Sequence, residues 1–294
     1  MIGQISLKTA FDAVRPDADD PIGSSFATTL AKGLAVLEAF DAGATSLGNT
    51  ELAARTGLTR PTVARLSHTL AELGYLRYDA GRAKYRLGAR SLRVAHPLLA
   101  SLKFRQLARP LMRELAESVR GTVSIGLLDG TALVYVETSR VVDVGPHMPD
   151  IGMSVPVIRS TAGRALAAML SSAERLALEA EIESQMPDAW TTYRDNYRDS
   201  LEQCAQQGFC VSYGDWVPTI HAVGAPLFRT SDTADCFAIN CGIPAFQLQA
   251  GQLENEIGPR VKALAASIRM MTGEAEPAVG PAPSLPSPHR KGRK

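Results

Sequence analysis

Leu30, Leu34 and Leu37 recur at helical spacing with Phe40 close behind, so a first helix with one apolar face is predicted over 29–40. The turn residues of AGATSLGN follow, and then TELAARTG, a short second helix capped near Asn49 and stopped by Gly57. Thr59 is placed to cap a third helix, with Pro61 in the first turn, where a missing N–H is harmless. That helix is expected to run to Leu73. Val63, Leu66, Leu70 and Leu73 form its buried stripe, and Arg60, Thr62, Arg65 and Thr69 face the other way. Gly74 ends it. YLRYDAGRAKYRLG alternates about an Ala-Gly turn and reads as a two-stranded hairpin. The joint LGARSLRVAHPLLASL reads as helical, with Pro97 as a kink or break.

Beyond the joint the pattern changes. A helix over 103–119 is expected to bury Leu107, Leu111 and Leu115. TVSIGLLDGTALVYVETS is strand, Asp-Gly turn, strand. VVDVGPHMPDIGMSVP carries another strand and a loop. STAGRALAAML and AERLALEAEI are helical, as is YRDSLEQCAQQG up to Gly208. FCVSYGDW, IHAVGAPLF and CFAINCGIP are strands, and 252–271 is a closing helix. Helices and strands mixed in this way describe an α+β domain. The chain is therefore divided into a mobile arm (1–25), a helical domain with a hairpin (26–88), a linker helix (89–101), the α+β domain (102–272) and a Pro-rich, basic, disordered tail (273–294).

The 294 residues, with 45% hydrophobic and 21% charged, suit about two globular domains. No apolar run reaches the ~18 residues of a membrane span. The first residues lack the basic-then-apolar pattern of a secretory signal, so a cytoplasmic protein is expected. The four cysteines make no CxxC pair and no zinc-finger spacing; buried thiols are expected in preference to a redox sensor. Nothing in the sequence calls for a cofactor or a metal.

The overall net charge of +1 hides a local excess. From 46 to 93 there are nine Arg and Lys against three acids, a net +6. Two short helices joined through Gly57 and Leu58, the second exposing Arg and Thr at its start, are a helix-turn-helix arrangement whose second helix fits a major groove. Arg pairs bidentately with guanine, and Thr bonds to bases or phosphates. Arg77, Arg82, Lys84 and Arg86 make the hairpin a basic wing. The alternative is a packing module whose arginines only solvate it.

In the second domain Ser160, Thr161, Ala162 and Gly163 open a helix, where free N–H groups and small side chains admit a carboxylate, with Arg159 nearby. An ordinary capped helix is the plainer reading of those residues alone. Ser212, Asp215 and His221 could compose a hydrolytic triad, but the chain has no GxSxG, HExxH or GxxxxGK[ST] motif.

KGLAVLEAF, ELAARTGLTRPTVARL, LAELGYL and YRLG, in this spacing, resemble the DNA-binding domain of the IclR family of bacterial transcriptional regulators. The resemblance maps the family's recognition helix onto 59–73 and its arginine onto Arg65. MSVPVIRSTAGRALAA, HAVGAPLF and FAINCGIPAF resemble the family's effector-binding domain, an α+β, GAF-like fold that takes a small molecule, often an organic acid. It implies pocket positions at Ser160, Thr161, Ala162, Gly163, Asp215, Asn240 and Cys241, with Arg140 and Asp143 as weaker candidates. Where the family often has His two residues after the Pro, this chain has Ile158. The partners implied are double-stranded promoter DNA, a small-molecule effector and further copies of the chain, as homodimer or homotetramer. Leu30, Leu34, Leu92, Leu98 and Leu99 are available for that interface. A DNA-binding dimer without ligand control and a small-molecule hydrolase remain as alternatives.

Overall fold

In the computed structural model, residues 26–141 and 149–280 are described. The arm (1–25), Asp143 and positions 281–294 of the tail lie outside the described residues. The rest divides into two compact units at Leu102 and Lys103.

The first unit contains α1 (Thr28–Glu38), α2 (Asn49–Thr56) and α3 (Arg60–Glu72), then β1 (Leu76–Asp79), β2 (Lys84–Leu87) and α4 (Ala89–Ser101). Val36, Leu52, Val63, Leu66, Leu76 and Tyr85 form its core. The α2 cap is Gly48 rather than Asn49, with Glu51 reaching back to the Gly48 N–H at 2.7 Å. Gly57, at φ 70°, makes the left-handed turn into α3. The buried stripe of α3 is shorter than expected. Val63 and Leu66 are buried, Leu70 is half-buried and Leu73 is exposed, because α3 ends at Glu72. Leu47 bridges Tyr85 and adds a third short edge to the hairpin.

The β1–β2 turn is tied by the Asp79 carboxylate, which accepts from the Gly81 and Arg82 amides. It closes through Ala83 at φ 53°, a region an L-alanine enters at a cost of about 1 kcal/mol. Ala83→Gly is expected to raise the stability of this unit by about 0.5 kcal/mol, since glycine's greater freedom in the unfolded chain offsets part of the relief. A thermal melt reads the shift, and an unchanged or lower midpoint would contradict it.

Pro97 does not break α4, which continues to Ser101. No residue of α4 is buried, so water can satisfy the carbonyl that the proline leaves without a donor.

The second unit is built on a six-stranded antiparallel sheet. Its strands are β3 (Thr122–Asp129), β4 (Ala132–Arg140), β5 (Ser154–Pro156), β6 (Cys210–Tyr213), β7 (Ile220–Arg229) and β8 (Cys236–Pro244), in the order β5-β4-β3-β8-β7-β6. One face carries α5 (Phe104–Val119) and α9 (Gly258–Thr272). The other carries α6 (Thr161–Ala168), α7 (Ser172–Gln185) and α8 (Pro187–Gln207). The buried stripe of α5 is Ala108, Met112, Leu115 and Ala116, and Leu107 points to solvent. The alanines let α5 approach the sheet closely while Phe104 packs edge-on against Phe228 and Phe237. Helix α8 starts ten residues earlier than the periodicity indicated, at Pro187, where buried Trp190 and Tyr197 anchor its first half. The closing helix opens with a π turn over Leu253–Ile257 before α9 begins.

Residues 273–280, expected within a disordered tail, make defined contacts. Val279 packs against the core, the Gly280 N–H donates to the Ala168 carbonyl at 3.2 Å, and Arg269 pairs with Glu276.

Candidate functional site

The first candidate surface is the start of α3 with the β1–β2 wing. Thr59, Arg60, Arg65 and Thr69 are exposed and Thr62 is half-buried. Thr59 caps α3 through its backbone; its hydroxyl faces that of Thr62 at 2.9 Å. The Thr69 hydroxyl donates back to the Arg65 carbonyl. The guanidinium groups of Arg60, Arg65, Arg77, Arg82 and Arg86 meet no acid among the described residues. Lys84 differs: its ammonium is 3.0 Å from Glu51, whose carboxyl is held below its ordinary value by the Gly48 amide and then by Lys84. Arg77 and Arg86 are cross-strand partners. Like charges placed opposite each other oppose pairing, and a polyanion would relieve that repulsion.

The second surface is the start of α6. Ser160 caps it, accepting from the Gly163 amide at 3.0 Å. The Thr161 and Ala162 amides have no acceptor inside the helix. Gly163 is packed so tightly that a Cβ would stand 2.5 Å from the Val157 Cα. The Thr161 hydroxyl is buried without a hydrogen-bond partner, as are the Tyr135 hydroxyl and the Asn240 side-chain oxygen. Asn240 is the register partner of Ser124 and Gly224, so it lies on the α6 face, beside Tyr135. Burial raises the Tyr135 pKa, which keeps its phenol protonated. Ser124 in turn accepts from the Thr138 hydroxyl at 3.1 Å.

Cys241 does not join this group. It follows Asn240 along β8 and therefore projects to the opposite face, between Val123 and Val223, with Arg260 of α9 as its charged neighbour. Its thiol is pushed up to about 12 by burial. Asp215 is engaged by protein groups: Arg164 Nη2 lies 2.6 Å from one oxygen and Asn196 donates to both. Arg159 donates to the carbonyls of Asp215 and Trp216 and stacks over Tyr193. Ile158 is fully buried, and its carbonyl accepts from Arg164 Nε. Arg140 binds the Pro149 carbonyl and pairs with Asp150. The hydrolytic arrangement does not form. Ser212 pairs with Ala222 and His221 with Tyr213, so Ser212 and His221 occupy opposite faces of the sheet.

Residues 29–80 match the family model for the IclR helix-turn-helix domain, and 96–270 match that for the bacterial transcriptional regulator IclR C-terminal domain. The chain belongs to the IclR family of transcriptional regulators. A solved IclR family regulator from Brucella abortus is 32% identical, with a TM-score of 0.77 over 92% of this chain and 99% of that one. The HTH-type transcriptional regulator TsaQ1/TsaQ2 of Comamonas testosteroni is 27% identical over 266 residues, 89% of this chain and 94% of that one. An IclR homologue from Microbacterium hydrocarbonoxydans, solved in complex with 4-hydroxybenzoate, shares the fold at 19% identity, with a TM-score of 0.62 over 82% of this chain and 98% of that one. The protein is thus an IclR-type regulator with a helix-turn-helix domain and an α+β effector-binding domain. No helix among the described residues is long and apolar enough to cross a membrane.

Within this IclR domain the sequence reading missed Arg164, Tyr135, Ser124 and Thr138. Arg164 had a visible signal, since a lone charge in STAGRALAAML needs a buried partner. Ser124 and Thr138 are in-phase polar positions of apolar strands, legible only once the register is known.

Proposed function

We propose that this IclR regulator reads promoter DNA with Thr59, Arg60, Thr62 and Arg65 of α3 while Arg77, Arg82 and Arg86 of the wing hold the flanking backbone. Thr69 and Lys84 take secondary places, because each is already bonded within the domain. The observation that carries this reading is the set of exposed guanidinium groups left without acids across α3 and the wing. A second copy would supply the second recognition helix, about one DNA turn away. Its contact surface is drawn from Leu30, Leu34, Leu92 and Leu98, all exposed, with Leu99 beside them. As a reader of promoter DNA the protein works in the cytoplasm and needs no catalytic step.

The effector is a small organic acid whose carboxylate meets the Thr161 and Ala162 amides at the α6 N-terminus. The unpartnered Thr161, Asn240 and Tyr135 groups hold the remainder of the molecule. The 4-hydroxybenzoate in the Microbacterium homologue is an acid of this class. Arg164 holds Asp215 and organises the site from behind. Effector binding changes operator affinity by favouring one arrangement of the DNA-binding domains.

The test is binding to the gene's own upstream DNA and to random duplex at about 150 mM salt, because phosphate contacts make affinity salt-dependent. Arg65→Ala is expected to lower operator affinity by about 2 kcal/mol, roughly 30-fold, and to relax preference at one base position. Equal weakening on every duplex would instead make Arg65 a phosphate contact. A wild-type protein with no preference on genome-wide fragments would overturn the reading.

A further inference from the structure

Cys204 lies in the last turn of α8 and Cys210 opens β6, so the Gly208 turn brings them together. Both are buried in the same core cluster, with their side chains near enough for each to shift the other's acidity. Cys210 Sγ also donates to the Thr161 carbonyl at 3.5 Å, which places the pair directly beneath the first residue of α6. The other two cysteines are arranged differently. Cys236 and Cys241 project to opposite faces of β8, and the Cys236 thiol donates to the Ala234 carbonyl.

The two thiols are not equivalent. The neighbouring Cys204 thiol holds Cys210 below the ordinary thiol value against the opposing effect of burial, with the Arg164 guanidinium and the Ser200 hydroxyl adding to it. Cys204 is pushed well above that value by Cys210 and by burial. One sulfur is the more acidic and the other lies beside it, the arrangement that lets a first cysteine be oxidised and a second resolve it. Access comes from the strand's position. β6 has four residues and forms the edge of the sheet, so opening it breaks a single short ladder.

We propose that Cys204 and Cys210 form a dithiol site that a hydroperoxide converts reversibly to an intramolecular disulfide. The Cys210 thiolate attacks the peroxide; the O–O bond breaks, an alcohol or water leaves with a proton, and Cys210 becomes a sulfenic acid. The Cys204 sulfur then attacks Cys210, the S–O bond breaks and water leaves. The two thiols lose two electrons in total and the peroxide gains them. A thiol reductant reverses the reaction. The new bond draws the Cys210 sulfur toward α8 and off the Thr161 carbonyl, loosening the helix start. This last consequence rests on the effector reading above; the dithiol chemistry does not.

The experiment exposes the reduced full-length chain to excess hydrogen peroxide, alkylates the remaining thiols and maps peptides without reductant. The tryptic peptide 199–229 holds both cysteines and no other. It is expected to lose the mass of two hydrogens and both alkylation sites, and to regain them with dithiothreitol. In Cys204→Ser the same treatment should leave Cys210 as a sulfenic acid that dimedone traps. Four alkylated cysteines after treatment, or links involving Cys236, Cys241 or a second chain, would overturn the proposal. Amide exchange at 161–164 should quicken in the oxidised wild type and stay unchanged in Cys204→Ser. A disulfide formed without that change overturns the connection to α6.

Discussion

Glu137→Ala is expected to destabilise the effector-binding domain by about 3 kcal/mol, which lowers its melting midpoint by roughly 6–12 °C. The Glu137 carboxylate is 2% exposed and is held by two arginines from the first half of α5. Arg105 Nε donates to it at 3.1 Å, and Arg109 donates through Nε and Nη2 at 3.3 and 3.0 Å. Removing the acid takes from the Arg105 guanidinium, 12% exposed, the buried carboxylate it donates to. Breaking that buried ion pair is the main cost. Arg109 is 57% exposed and recovers water, so the effect is placed at the low end for a broken buried pair. Glu137→Gln retains an acceptor and should lose less than half as much. A midpoint shift below about 2 °C in Glu137→Ala would mean that the pair contributes little beyond what water supplies.

This latch also explains how β4 is used from both sides. Tyr135 and Thr138 are turned toward the α6 face, and Glu137 is turned toward α5, because an irregularity opposite Ile125 and Gly126 shifts the alternation around Val136. That shift shows where sequence reading stopped. The two hairpins, the turn at Gly57 and the Arg/Thr face of α3 depend on local spacing and turn residues, and they were legible. The α5 stripe was displaced by one residue, because leucine count favoured Leu107 while close approach to the sheet favoured Ala108 and Ala116. Cys241 was grouped with Asn240 although neighbours on a strand face opposite ways. The hairpin's spacing places Lys84 in the basic wing but does not reveal its ion pair, because the partner, Glu51, lies 33 residues earlier. The α5 stripe and the Lys84 ion pair depend on tertiary partners that no local pattern names, whereas the strand alternation at Cys241 is itself local.

Gly224→Ala is expected to cost about 3 kcal/mol and to abolish the effector response. Gly224 lies on β7 beside Asn240, and α6 begins directly above it. A Cβ there would stand 2.4 Å from both the carbonyl carbon and the carbonyl oxygen of Thr161, and 2.8 Å from its Cβ. Those are backbone atoms of the helix start, so no side-chain rotation can relieve the overlap. The helix must lift from the sheet, at the upper end of overpacking penalties. The lift moves the Thr161 and Ala162 amides out of line with Asn240 and Tyr135, so affinity for the acid falls with stability. The control is Gly242→Ala on the adjacent strand, where the new Cβ meets only the Ile220 Cγ2 methyl at 3.3 Å and a shift of a few tenths of an ångström suffices. Thermal melts of both variants, each with and without a bound carboxylate, separate the outcomes. If Gly224→Ala is tolerated as well as Gly242→Ala, α6 is not pinned to β7, and the effector reading loses the rigid platform on which its two amides are aimed.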